Sequence, residues 1–269
     1  MKKLPFRENV TIITGASLGL GRELALQLAD QGAWLALAAR DANRLGEVAV
    51  ECSRRDTRAI AIPTDVSQQS QCANLIERTV AEYGRIDTLV NNAGQSMFAR
   101  FDELRDLRIL EALMRVNYFG SVYCTFQALP YLKASRGRVV SICSLAGKTG
   151  VPTRTGYSAS KHAIAGFCEA LRVECEKDGV TVTVIFPGFV ATGIRERALG
   201  PDGMPLGLSP HSETGMMTVE RCAQLTVNAI IDRRRELVMT IQGKVGQWLK
   251  LAAPRLVDSM VRRAVERGH

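Results

Sequence analysis

The sequence has no uninterrupted apolar run of the roughly 18 residues that a bilayer-spanning helix needs, so no membrane crossing is expected. Its opening, Met1-Lys-Lys-Leu-Pro-Phe-Arg-Glu8, is not a charged-then-apolar leader, because a strand-like run follows at once; the expected location is cytoplasmic. Histidine is scarce: there are three, none in an HExxH pattern, which leaves no case for a metal. The seven cysteines (Cys52, Cys72, Cys124, Cys143, Cys168, Cys175, Cys222) are odd in number and scattered, with neither CxxC pairs nor zinc-ligand spacing. They read as small buried apolar residues of a reducing compartment. No GxxxxGK(S/T) appears, so a P-loop nucleotidase is unsupported. A net charge of +8 invites a nucleic-acid partner, but no reader motif or aromatic-interleaved basic patch accompanies it. The excess is local: from Asp232 onward, nine Lys/Arg face four Asp/Glu, which is +5 of the +8.

What remains is a chain of 269 residues, 46% hydrophobic, long enough to bury a large core as one α/β domain spanning residues 1–269. Short apolar, β-branched runs predict strands at 10–14, 34–39, 58–62, 86–90, 137–142 and 180–186, with a weaker one at 236–240. Between them, 3.6-residue periodicity predicts helices over 22–31, 43–54, 68–83, a long helical region over 102–132, and 156–177. Strands with continuous apolar interiors that alternate with helices imply a parallel, doubly wound sheet of about seven strands, covered on both faces. Ligands of such sheets sit at the C-terminal strand ends, near the point where strand order reverses.

The first strand runs into Thr14-Gly15-Ala-Ser17-Leu18-Gly19-Leu20-Gly21. Three glycines let the backbone turn sharply and approach a ligand, and the following helix N-terminus offers free N–H groups to a pyrophosphate. The spacing is TGxxxGxG rather than GxGxxG, and an ordinary glycine turn is the bland alternative. The second strand ends in Ala38-Ala39-Arg40. A carboxylate here would hold a ribose 2′-hydroxyl, whereas an arginine suits a 2′-phosphate, so Arg40 favours NADP(H) over NAD(H); alternatively it is a solvated arginine opening a helix. Asp65, with Val66 after the third strand, is either the N-cap of the next helix or a hydrogen-bond acceptor for adenine.

Tyr157 and Lys161 stand four residues apart on a predicted helix, hence on one face and one turn apart. A nearby ammonium favours the phenolate and makes a tyrosine hydroxyl a usable proton donor and acceptor, so the pair reads as acid/base machinery. With Thr14-Gly15-xxx-Gly19-x-Gly21, Asn91-Asn92-Ala93-Gly94, Asn117, Ser144 and Pro187-Gly188 with Thr192, the chain resembles the short-chain dehydrogenases/reductases from about Asn9 to Thr192. The extended tail is similar to the group around 11β-hydroxysteroid dehydrogenase and the dehydrogenase/reductase 7B proteins.

The resemblance implies that Tyr157 protonates a carbonyl oxygen as hydride arrives from nicotinamide. It further implies that Lys161 assists Tyr157 and holds the ribose, that Ser144 stabilises the substrate oxygen, and that Asn117 holds a water linking Lys161 to solvent. It places Asn92, Ala93 and Gly94 near the adenosine ribose, and Pro187, Gly188, Val190 and Thr192 at the nicotinamide carboxamide. It also implies a homodimer or homotetramer.

Residues 195–217, rich in Gly, Pro and Met, read as a substrate lid or as a loop packing on its own domain; a lid would make the substrate apolar and fairly large. Residues 243–269 read as a helical extension. Pro254 starts a helix whose stripe of Leu256, Val257, Met260, Val261, Ala264 and Val265 is flanked by arginines; it docks on its own domain or a subunit, or lies on a membrane surface. Arg233-Arg234-Arg235 reads as a solvated helix end, and His162 as a solvated neighbour of Lys161. The expected activity is NADP(H)-linked reduction of a carbonyl or oxidation of a secondary alcohol. A 3-oxoacyl-carrier reductase and a non-catalytic NADPH sensor are the alternatives.

Overall fold

The computed structural model describes residues 4–207 and 216–266. Its first half alternates strictly: β1 (Val10–Thr14), α1 (Gly19–Asp30), β2 (Trp34–Ala39), α2 (Ala42–Ser53), β3 (Ala59–Pro63), α3 (Gln69–Tyr83) and β4 (Thr88–Asn91). Then come α4 (Arg108–Met114), α5 (Gly120–Ser135), β5 (Arg138–Ile142), α6 (Thr155–Glu174), β6 (Thr181–Phe186), α7 (Val219–Ile231) and β7 (Glu236–Val238), with α8 (Ile241–Ala252) and α9 (Pro254–Glu266) closing the chain.

The seven strands form one sheet in the order β3-β2-β1-β4-β5-β6-β7, every pair parallel. Order reverses between β1 and β4, which pair Thr11 with Thr88, Ile12 with Leu89 and Ile13 with Val90. Both faces are covered because strand side chains alternate with period two and every strand interior is apolar on both sides. Ile12, Leu89, Val139 and Val184 point to the layer containing Leu75, Cys124, Ala128, Ile164 and Cys168 of α3, α5 and α6. Ile13, Val90, Val140 and Ile185 point to the opposite layer, with Leu24, Leu28, Leu45, Cys222 and Val227 of α1, α2 and α7. All seven cysteines are buried and unpaired, as their scatter implied. A smaller cluster of Met97, Ala99, Ile109, Leu113, Ala146, Tyr157 and Leu199 lies beyond the C-terminal strand ends.

Several expectations are corrected. The region 102–132 is not one helix: a 3-10 turn at Phe101–Glu103 is followed by a break, then α4, a π turn at Arg115–Phe119 and α5. Of the tail helices, α9 starts at Pro254 as its pattern suggests, whereas α7 and α8 carried no clear local marker. On α9, Val257 is buried while Leu256 and Met260 stay half exposed; the side chains of Ala264 and Val265 lie outside the described residues, as does the 208–215 part of the expected lid. Arg233 is exposed, but it is not merely solvated, since its guanidinium donates to the carbonyls of Arg136 (2.9 Å) and Gly137 (3.3 Å).

Candidate active site

The ends of β1 and β4 are stitched together at the switch point. Thr14 Oγ1 accepts the Asn92 and Ala93 amides, each at 3.0 Å, and Asn92 Nδ2 donates to the carbonyls of Thr14 (2.9 Å) and Gly15 (3.2 Å). This close approach explains the glycines. Gly15 has φ +66° and Gly19 φ +52°, a region that side chains disfavour, and a Cβ on Gly21 would overlap the Gly15 carbonyl oxygen. The N-terminus of α1 carries no side-chain cap and no acid in its first turn, so its free N–H groups face the turn and suit an anion.

At the end of β2, Arg40 is exposed, and Asp41 beside it is occupied. Asp41 caps α2 by accepting the Arg44 amide at 3.1 Å and pairs with the Arg44 guanidinium at 3.4 Å. Asp65 does not cap α3, whose N-cap position is Gln68. It closes an Asx turn, its Oδ1 accepting the Ser67 amide at 2.9 Å while Gln71 Oε1 holds its own N–H at 2.7 Å.

The opposite end gathers the chemistry. Tyr157 and Lys161 project from one face of α6, both buried, with Lys161 Nζ 5.7 Å from the Tyr157 ring centre. Lys161 Nζ donates to the Ile142 carbonyl at 2.9 Å and enters no ion pair among the described residues, which leaves two of its three N–H groups for the cleft. Ser144 Oγ accepts the Ala146 amide at 3.2 Å, so its own O–H is the group free to donate. Burial pushes the Cys143 thiol up, and this cysteine packs as a neutral group against the Lys161 carbonyl.

Asn117 sits in the π turn, and its side chain is committed to the protein. Oδ1 accepts the Gln95 amide at 2.8 Å, while Nδ2 donates to the Gln95 carbonyl and Ser160 Oγ, both at 2.9 Å. It therefore braces the loop after β4 rather than lining the cleft. Asn117→Ala leaves the Gln95 amide and carbonyl without partners, and a loss of about 1–3 kcal/mol in unfolding free energy is expected, read from denaturant midpoints. Parent-like midpoints would count against the brace.

Gly15, Ser17, Leu18, Gly19, Leu20, Gly21, Arg40, Asp65, Val66, Asn92, Ala93, Gly94, Ser144, Tyr157, Lys161, Pro187, Gly188, Val190 and Thr192 all line one cleft of about 830 Å³ across the C-terminal strand ends. Of the residues expected at the site, Asn117 alone stays behind the wall. A short-chain dehydrogenase family model matches residues 9–200. The chain belongs to the short-chain dehydrogenase/reductase family. It is 34% identical over 264 residues to a dehydrogenase/reductase SDR family protein 7-like of Dictyostelium discoideum, covering 96% of this chain and 82% of that one. It is also 34% identical over 268 residues to 11-beta-hydroxysteroid dehydrogenase 1A of Arabidopsis thaliana, covering 94% and 75%. A solved alcohol dehydrogenase of the archaeon Thermococcus sibiricus, complexed with 5-hydroxy-NADP, superposes with TM-score 0.75 at 26% identity, covering 86% of this chain and 95% of that one.

Short-chain dehydrogenases/reductases bind a nicotinamide cofactor, and the residues present fit one: a backbone cradle that a Cβ would fill, an uncapped helix N-terminus for the pyrophosphate, and small residues where β4 and β6 end. No helix among the described residues is long and apolar enough to cross a membrane. His162 is exposed, its Nδ1 2.9 Å from the Ser158 carbonyl one turn back.

Sequence reasoning missed Ser160, and it missed Phe98, Arg154, Phe189 and Arg195 as a group. Phe98, Phe189 and Arg195 lie in segments without periodicity, where only tertiary packing brings them around Arg154. Arg154 stands one turn before Tyr157, at the N-cap of α6, and that spacing was the one clue available.

Proposed function

We propose that this short-chain dehydrogenase/reductase is an NADP(H)-dependent enzyme that interconverts a carbonyl and a secondary alcohol on an apolar substrate, with Tyr157 as general acid/base. The observation carrying the reading is the convergence of Ser144, Tyr157 and Lys161 at one end of a cleft whose other end is the glycine cradle. The cofactor, when bound, supplies or accepts the hydride. Tyr157 donates its phenolic proton to the carbonyl oxygen in reduction and takes the alcohol proton in reverse. Ser144 donates its O–H to the same oxygen and stabilises the charge developing there. Lys161, held at the Ile142 carbonyl, keeps a positive charge beside the phenol and has donors left for the ribose hydroxyls. The cradle and first turn of α1 hold the pyrophosphate, Asp65 and Val66 flank the adenine, and Pro187, Gly188, Val190 and Thr192 hold the carboxamide end. Monitoring NADPH oxidation at 340 nm against a panel of ketones, aldehydes and oxosteroids tests the reading; an enzyme that binds NADPH and reduces nothing on the panel would favour the sensor.

Cofactor choice rests on Arg40. The neighbouring Asp41 carboxylate is tied to Arg44, so the end of β2 presents guanidinium rather than a free acid. The structural neighbour's NADP-type ligand points the same way. Arg40→Gln is expected to weaken NADPH by about 10-fold or more, the size of a charge-assisted contact, with NADH little changed. Equal loss for both cofactors in a fluorescence titration would remove Arg40 from the specificity site.

We read residues 195–217 as a lid, on the support of Arg195 and Arg197, which line the cleft, and of Leu199, whose carbonyl and amide pair with Phe98 and Ser96. The chain as one domain with an α8–α9 extension is our reading of the single sheet. On α8, Ile241, Val245, Trp248 and Leu251 are largely exposed along one face, beside basic residues. This supports self-association there; sedimentation tests it, with flotation on anionic vesicles as the rival outcome.

A further inference from the structure

The substrate end of the cleft is not simply apolar. Arg154 lays its guanidinium 3.8 Å from the Phe98 ring centre, 5.8 Å from that of Phe189 and 6.0 Å from that of Tyr157. Arg195 is buried, its guanidinium 4.6 Å from the Phe189 ring centre. Both arginines line the cleft, whose acidic lining residues among those described are Asp41 and Asp65, both at the adenosine end. Arg154 forms no ion pair with any described carboxylate; it is half-buried, and burial, partly opposed by the Tyr157 phenol and aided by Arg195, pulls its guanidinium down to about 10, still charged at neutral pH. A desolvated cation held by rings and no acid is costly to maintain, and a bound anion offsets that cost.

We propose that Arg154 is a recognition site for a carboxylate on the substrate, set a short spacer away from the carbonyl that Tyr157 serves. The substrate class is then an oxo acid or hydroxy acid with an apolar body, rather than a neutral ketone. A monovalent carboxylate suits the site better than a phosphate dianion, since the Arg154 guanidinium lies against the Phe98, Phe189 and Tyr157 rings and desolvation penalises the double charge more heavily. The inference rests on the reductase reading of this cleft and deepens it.

Two measurements on the full chain test it. In the first, kcat/KM with NADPH is compared for 4-, 5- and 6-oxoalkanoates against their methyl esters. One spacer is expected to give an acid preference of about 10-fold or more, falling toward unity in Arg154→Gln and partly kept in Arg154→Lys, the loss appearing mainly in KM. Equal use of acid and ester, an ester preference, or an unchanged ratio in Arg154→Gln would overturn the proposal and leave the reductase reading standing. In the second, hexanoate and hexanamide are titrated into the NADP-saturated protein by calorimetry, with no turnover required. Tighter hexanoate binding that vanishes in Arg154→Gln supports the anion site even if no ketone is reduced, in which case the reductase reading fails alone. Hexanoate binding no tighter than hexanamide, or unaffected by the substitution, overturns the site.

Discussion

Tyr157→Phe is expected to lower kcat by about 10²–10⁴-fold, the range of a positioned general acid/base, while changing NADPH affinity by no more than about threefold. The substitution removes one hydroxyl that bonds to no other described residue. The ring stays packed among Met97, Ile109, Leu113, Ala146 and Leu199, so the fold is retained. Lys161 keeps its bond to the Ile142 carbonyl, and Ser144 its bond from Ala146, so the remaining geometry also persists. Single-turnover absorbance at 340 nm reads the chemical step apart from release. A variant that matches the parent there would remove Tyr157 from the proton path, and with it the observation on which the proposed activity rests.

Gly21→Ala tests the other end of the cleft. Its new Cβ would overlap the Gly15 carbonyl oxygen and sit 2.5 Å from Asn92 Nδ2, and those atoms belong to the stitch between β1 and β4. Backbone cannot swing aside as a flexible side chain can, so the cradle must open; a stability loss of about 1–3 kcal/mol and about 10–100-fold weaker cofactor binding are expected. Gly46→Ala is the matched control. It lies inside α2 with open space around it, and alanine there is expected to stabilise by about 0.5–1 kcal/mol through helix propensity. If Gly21→Ala melts and binds NADPH like the parent, the close backbone approach does not hold the cofactor site together.

Most of the strand–helix alternation was readable because each strand is a short, apolar, β-branched run and each early helix has a clean 3.6-residue stripe. The Tyr157–Lys161 pair was readable for the same kind of reason: a four-residue offset on a helix fixes a shared face wherever that helix is placed. Asn117 was visible as an oddity in a helical stretch, but its commitment to Gln95 and Ser160 needs the π turn, which no periodicity announces. Asp65 shows the same limit. An acid before a helix suggests a cap, yet the N-cap position of α3 falls at Gln68, and Asp65 bonds two residues ahead instead.

By itself, then, the sequence determined the alternation of elements, the glycine turn at the end of β1 and the relative placement of Tyr157 and Lys161, all set by contacts within a few residues. Only the tertiary structure decided that β4 lies beside β1, that Asn117 stands behind the cleft wall, and that Arg154, Phe98, Phe189 and Arg195 meet around the substrate end. Parallel strands are joined by long crossovers, so neighbours in the sheet are distant in the chain and their pairing leaves no local pattern. Phe98, Arg154, Phe189 and Arg195 meet only once β4, α6 and β6 have docked, and the loops that follow or precede these elements bring the side chains together.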